Sequence, residues 1–266
     1  TASAYFFDTV DVGSRWQFVG GARWERYDTD FLSEDATGLV TADLEDTDSL
    51  VSGKIGVNYR LTPTANLYVS YGTSATPPGS ANFSLSTQAN NANSPNVDPQ
   101  ASANFEVGTK WDLANGRLSL NSAAFRTENK NVIFTVDATA VPPVFNQDDS
   151  QLVRGFTFGA LGRITERWEV ITNFGYLDSE LNTQGAINNG NRLVLTPEFS
   201  GSVWTTYGLA MGLRLGGGVR QTSAVFINAA NTIESPGYTL VDGLAEYEVN
   251  RNLTLRVNIY NLFNET

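Results

Sequence analysis

The chain has no cysteine and no histidine. Those two absences remove disulfides, thiolate nucleophiles, zinc sites built on either residue, and every histidine-based triad or general base. No catalytic centre, resident metal or cofactor is therefore expected. No run reaches 18 apolar residues, which excludes a membrane-spanning helix and leaves strand-built spans open. The opening Thr1-Ala2-Ser3-Ala4-Tyr5 has neither a basic nor an apolar segment, so no signal peptide is expected within the chain. Basic residues are scarce as well, 17 against 28 acidic ones, for a net charge of -11. A nucleic-acid partner is excluded on that ground, because phosphates demand a basic footprint.

What the chain does have is 24 glycines and 11% aromatic residues against 17% charged ones, a balance that favours strands and tight turns. A length of 266 residues suits one large domain or two ordinary ones, so periodicity must decide. From Asn104 onward Phe105, Val107, Thr109, Trp111 and Leu113 fall on one side of an extended strand. Asn104, Glu106, Gly108, Lys110 and Asp112 fall on the other. Ala114, Asn115 and Gly116 form a short connection, and Arg117 opens a return strand through Leu118, Leu120, Ser122 and Ala124. The spacing predicts a long antiparallel hairpin with one apolar and one ionic face.

Twelve such strands can be laid out, joined alternately by short and long connections. The short ones lie near Val10 to Ser14, Thr62 to Thr64, Ala114 to Gly116, Glu166 to Arg167, Gly208 to Ala210 and Asn250 to Arg251. The long ones run about Asp28 to Asp48, Ser74 to Ala101, Ala138 to Ser150, Asn182 to Asn191 and Ile227 to Glu234. All tight turns then fall at one end of the sheet and all long loops at the other, the layout of an outer-membrane barrel. Along nine strands, 43 alternate positions hold no charged side chain, whereas 13 charged side chains fall on the positions between them, among them Lys54, Glu106, Lys110, Arg163, Glu169, Arg214, Arg220, Asp242, Glu246 and Arg256. An Arg or Lys facing lipid near the midplane costs about 2–4 kcal/mol, a physical reason for the emptiness. Strand lengths of about ten residues suit a tilted span of the hydrocarbon core.

Aromatic residues collect towards the strand ends, with Trp16, Tyr59, Trp111, Trp168, Tyr207 and Tyr247 near the short turns and Trp24, Tyr71, Tyr176 and Tyr238 near the long loops. Such rings sit well at headgroup level. Leu161, Ile171, Leu240 and Leu244 break the pattern by falling on the polar side, and the strand from Ala4 to Thr9 has no clear phase. A second protein element inside the barrel would account for them. The acidic run Asp28, Asp30, Glu34, Asp35, Asp43, Glu45, Asp46 and Asp48 is expected to be a solvated loop, since its spacing matches no EF-hand. The Asn- and Ser-rich loop from Ser80 to Asn96 gives no readable motif.

Several stretches together resemble a known family. They are Val97-Asp98-Pro99-Gln100, the hairpin from Asn104 to Asp112, Gly116-Arg117-Leu118-Ser119-Leu120 and Ala123-Ala124-Phe125-Arg126-Thr127. Arg154-Gly155-Phe156-Thr157, Leu195-Thr196-Pro197, Trp204-Thr205-Thr206-Tyr207 and Pro236-Gly237-Tyr238 with Asp242 follow, and then the ending Asn258-Ile259-Tyr260-Asn261-Leu262-Phe263-Asn264. This pattern resembles the TonB-dependent outer-membrane receptors, particularly those for ferric siderophores. It departs from them at Thr157, where Glu is usual.

The resemblance implies an all-β fold, an antiparallel transmembrane β-barrel of which about 12 of 22 strands are present, with residues 1–266 forming part of the barrel domain. The plug, the TonB box and a closing strand after Thr266 are expected to be missing. It implies an active transporter in the outer membrane of a Gram-negative bacterium, with a ferric siderophore, membrane lipid and TonB as partners, TonB acting through the plug. No reaction would be catalysed. The alternatives are a passive porin and a receptor of the same type for vitamin B12, haem or a glycan. A soluble binding module whose apolar stripe is a sandwich core is a third reading. Arg126, Phe134, Phe145, Arg192, Arg220 and Phe226, near the loop end, are the candidate ligand-binding residues the resemblance implies. The interior basic residues Arg23, Lys54, Arg60, Lys110, Arg117, Arg163, Arg214, Arg220 and Arg256 read either as a track for anionic chelates or as partners of carboxylates, with pairing favoured.

Overall fold

The structure, a computed structural model, describes residues 1–80, 84–88, 91, 93–137, 144–183 and 188–265, with the side chains of 133–137, 144–146, 148 and 149 outside that description. Strands β1 (Ala2–Val12), β2 (Trp16–Glu34), β3 (Val40–Thr62), β4 (Ala65–Thr76), β5 (Gln100–Leu113), β6 (Leu118–Asp137) and β7 (Val144–Arg163) form the first part. Strands β8 (Trp168–Asn182), β9 (Phe199–Gly208), β10 (Leu213–Thr222), β13 (Tyr238–Asn250) and β14 (Leu253–Ile259) form the rest. A two-residue ribbon, β11 (Val225–Phe226) with β12 (Glu234–Ser235), decorates the connection between β10 and β13. The twelve long strands make one antiparallel sheet in which each pairs with its neighbour in sequence. The sheet does not close on itself, so β1 and β14 each keep one free edge. No helix among the described residues is long and apolar enough to cross a membrane.

Register settles the faces, because residues directly opposite one another share a side. One row reads Phe18, Val57, Val69, Val107, Ala124, Phe156, Tyr176 and Phe199 across eight strands without a charge. The next row reads Gln17, Asn58, Tyr68, Gly108, Ala123, Thr157, Gly175, Ser200, Thr222 and Tyr238. The first row is the outer face and the second the inner one. A single layer offers no second sheet to bury the outer row, and Val51, Ile55, Phe105 and Tyr176 stand exposed. An apolar surface of that extent in water would drive association, so lipid is its solvent.

The connection between β5 and β6 shows how local chemistry sets a hairpin. Ala114, Asn115 and Gly116 take φ of 52°, 59° and 79°, a left-handed run that reverses the chain in minimal length. The β9–β10 connection instead carries a short 3-10 turn, Ala210–Gly212, in which Met211 has φ 61°, so the turn extends past the Gly208 to Ala210 connection expected from the sequence.

The long connections are corrected most. The acidic stretch is not a loop: β2 and β3 stay paired from Tyr27 opposite Asp48 to Glu34 opposite Val40, and only residues 35–39 turn. Backbone pairing continues past the membrane through cross-strand pairs such as Phe31 opposite Leu44 and Leu32 opposite Asp43. β7 likewise reaches into the Ala138 to Ser150 stretch, starting at Val144. Tyr238 stands on the inner face, opposite Thr222, and not among the outer aromatics. β1 acquires a phase from its pairing with β2, and that phase puts Asp8 on the outer face, opposite Gly20.

Candidate functional site

Two stretches at the long-loop end, residues 188–198 and 223–237, are joined into one body. Asn231, at φ 54°, accepts the Arg192 backbone N–H through Oδ1 at 2.7 Å and donates from Nδ2 to the Arg192 carbonyl at 3.0 Å. Asn191 donates from Nδ2 to the Ala229 carbonyl at 2.9 Å, and the Leu195 N–H donates to the Phe226 carbonyl at 2.9 Å. Asn228 holds the second loop by accepting the N–H groups of Thr232 and Ile233 at 3.0 and 3.1 Å. Asparagine suits these posts because its amide imitates a peptide group and tolerates a left-handed backbone.

That framework fixes Arg192. Its guanidinium carbon lies 6.0 Å from the Phe226 ring centroid, and Nη1 lies 3.3 Å from Glu198 Oε2. Glu198 also accepts the Tyr176 hydroxyl at 2.9 Å. A cation over a ring face is worth about 0.5–1 kcal/mol where water still reaches it. The arrangement fixes a cation against an aromatic face at the long-loop end of the strands.

Below the mouth the inner wall opens into a cavity of about 560 Å³, lined by Asn121, Asn173, Ser200, Ser202, Arg220 and Tyr238 among others. Its floor is polar, since Asn121, Gly159, Asn173, Ser202 and Arg220 lie in one row of the ladder. Arg220 donates from Nε and Nη2 to Asp242 Oδ2 at 3.1 and 2.9 Å. The other Asp242 oxygen accepts the Asn261 N–H at 2.9 Å, while the Leu262 N–H reaches the Val241 carbonyl at 2.8 Å. The Asn-Leu-Phe ending is thereby tied to the inner wall.

Of the six candidate residues, the structure brings Arg192 and Phe226 together and puts Arg220 in the cavity wall beneath them. Phe134 and Phe145 occupy paired segments of β6 and β7, but their side chains lie outside the described residues. Arg126 sits opposite Phe105, on the outer face. Glu198 was missed as the carboxylate that links Arg192 to Tyr176, the outer-row aromatic of β8, and nothing in its spacing marks it.

Most interior basic residues are paired. Arg23 meets Glu25 at 2.8 Å, Arg163 meets Glu169 at 2.9 Å, Arg214 meets Glu169 at 3.7 Å, and Arg256 pairs with Glu246. Lys110 stands 5.5 Å over the Tyr68 ring, and the Tyr68 hydroxyl donates to Glu106 at 2.6 Å. The Tyr68 ring lies across Gly108, where a Cβ would sit 2.5 Å from its oxygen, so glycine there is a packing requirement. Leu161 and Ile171 face each other directly on the inner side, next to Trp204, and remain exposed.

In the outer hairpin, burial pushes the Asp46 carboxyl above its ordinary range, the Tyr27 hydroxyl beside it offsets part of that, and the Asp48 charge adds to it. Asp46 Oδ2 is buried without a hydrogen-bond partner among the described residues. Asp35 is moved the other way, held down by the Thr37 hydroxyl and the N–H groups of Leu39 and Thr37. Among the described residues no three acidic side chains converge as a cation site.

An antiparallel wall with a lipid-facing outside, a polar inside and joined outer loops defines an outer-membrane β-barrel receptor. The chain belongs to the TonB-dependent receptors: the family model described as "TonB dependent receptor-like, beta-barrel" matches residues 1–262. Its place is therefore the outer membrane of a Gram-negative bacterium, and its family is one of transporters. The chain is 33% identical to the probable TonB-dependent siderophore receptor PiuA of Acinetobacter baumannii, over 98% of its own length and 36% of PiuA. It is 30% identical to the catecholate siderophore receptor Fiu of Escherichia coli O157:H7, over 99% of its length and 38% of Fiu. The crystal structure of PiuA superposes with a TM-score of 0.85 at 30% identity, covering 98% of this chain and 38% of that one. The chain thus spans less than two fifths of the length of these relatives.

Proposed function

We propose that the receptor containing this chain takes up a ferric siderophore across the outer membrane, with TonB supplying the energy through a plug seated against the inner face, and that it catalyses no reaction. The carrying observation is the Arg192–Phe226 pair, fixed by the Asn231 clamp at the long-loop end of the strands whose inner wall holds the Arg220 cavity. A guanidinium over an aromatic ring suits a delocalised anionic chelate, which needs both oxygen-directed donors and a flat apolar surface. Similarity to PiuA and Fiu supports the same cargo class. The exposed inner pair Leu161 and Ile171, beside Trp204, offers an apolar seat for a plug.

The test is uptake of ⁵⁵Fe-labelled catecholate siderophore by cells whose only such receptor is the intact protein. Accumulation is expected to need TonB, and Arg192→Ala or Phe226→Ala is expected to raise the half-saturating concentration about tenfold each, roughly 1.4 kcal/mol. Uptake unaffected by loss of TonB defeats the proposal. Steady ohmic conductance of the intact protein in planar bilayers marks a passive pore instead.

A further inference from the structure

Asp8 puts a carboxylate into the lipid-facing stripe at mid-height. Its ladder partner is Gly20, the middle one of the outer residues Trp16, Phe18, Gly20, Ala22 and Trp24 on β2. The two tryptophans are exposed and mark the aromatic girdles at either interface. Each lies four residues from Gly20, which at about 3.3 Å per residue and a tilt near 40° is roughly 10 Å of height in either direction. Asp8 therefore stands near the centre of a hydrocarbon band about 25 Å tall.

A carboxylate there has no water to turn to, and acidic groups persist at such depth where they are paired. The neighbours on its own face offer no pairing. Along β1 they are Phe6 and Val10, and across the ladder they are Phe18, Gly20 and Ala22. The Thr9 backbone N–H donates to Asp8 Oδ1 at 2.8 Å, and among the described residues no cation stands beside the carboxylate. A Cβ at Gly20 would meet nothing within 4 Å, so β2 leaves that flank bare.

The other flank is the free edge of β1. Unpaired N–H and C=O groups cannot face hydrocarbon, so in the intact barrel a further strand lies along that edge. Its outer side chains come within about 5 Å of Asp8, and no other element does so from that side.

We propose that Asp8 forms an ion pair within the membrane with a Lys or Arg on the outer row of the strand that covers the free edge of β1, fixing the register of that seam. An acid opposite Asp8 would add repulsion, and an apolar residue would leave the carboxylate in lipid. A slip of one residue would turn the cation to the inner face and strand Asp8, so the pair penalises closure in the wrong register. The site faces away from the lumen and is independent of the cargo.

The experiment is urea unfolding of the intact receptor in phosphatidylcholine vesicles, followed by tryptophan fluorescence. Asp8→Leu is expected to raise the unfolding constant at least about tenfold, because it strands the partner cation in lipid, whereas Val10→Leu on the same face stays within about threefold of wild type. Each outward Lys or Arg of the covering strand is then replaced by Met, alone and together with Asp8→Leu. At one position the double variant is expected to be at least about tenfold more stable than the two single losses predict. Should Asp8→Leu fail to fold, Asp8→Asn is read in the same way, with a loss of about threefold expected. An Asp8→Leu receptor as stable as wild type, or more so, overturns the proposal, since leucine relieves a carboxylate that faces only lipid. Additive losses at every position, or a covering strand without an outward Lys or Arg, overturn the assignment to that strand.

Discussion

Val69→Arg tests the assignment of faces near mid-height of the wall. Val69 pairs with Val57 on one side and Val107 on the other, and Val107 is the fourth of the seven outer residues that run along β5 from Leu113 to Ala101. The site is therefore near mid-height, where an arginine facing lipid costs about 2–4 kcal/mol, and not near the rim, where the cost falls to about 0–1 kcal/mol. Its neighbour Ser70 provides the control. Ser70 lies opposite Glu106 on the inner face, so Ser70→Arg adds a cation next to a carboxylate in a wet interior, an exposed pair worth about 0–1 kcal/mol. The expected gap is about 2–3 kcal/mol, a factor of roughly 30 to 100 or more in the unfolding constant. Urea unfolding of the intact receptor refolded into phosphatidylcholine vesicles, followed by tryptophan fluorescence, measures it. Equal losses in the two variants, or the larger loss at Ser70, would refute a lipid-facing outer row.

Other consequences follow from particular contacts. At Gly218 a Cβ would sit 2.4 Å from the Trp204 ring and 2.8 Å from the Val203 carbonyl, so Gly218→Ala is expected to destabilise by about 1–3 kcal/mol, while Gly243→Ala, with open space, is near neutral; thermal unfolding in vesicles compares them. Asp242→Ala leaves Arg220 and the Asn261 N–H without their shared acceptor and is expected to cost about 1–3 kcal/mol, read as faster amide exchange at 261 and 262. Asp46 has a raised carboxyl pKa in the folded hairpin, so wild-type stability there is full below the ordinary carboxylate pKa and declines as pH rises through the raised one. Asp46→Asn is therefore expected to protect the hairpin from proteolysis at residues 35–39 more at pH 7 than at pH 4, and an effect confined to pH 4 would contradict this.

Alternation along each strand is a local property, and it was enough to assign the two faces. Which side a residue takes depends only on its distance in sequence from a known neighbour, and lipid on one side leaves a charge-free stripe that survives inspection of a single strand. The same parity places Arg126 with Leu118 and Leu120, a signal already present in its even number. Long connections were less legible. Whether chain beyond the membrane continues as paired strand, as in the hairpin from Tyr27 to Asp48, depends on cross-strand hydrogen bonds that composition does not reveal.

The amino-acid order determined the strand count, the sorting of short and long connections and the lipid-facing stripe, because each follows from a two-residue period interrupted by turn-forming residues. Only the folded arrangement decided that Asn231 would join loops about 40 residues apart and bring Arg192 over Phe226, and that Arg126 would meet Arg154. Those contacts depend on register and on loop-to-loop hydrogen bonds, which couple residues distant in sequence and leave no periodic trace in either partner alone.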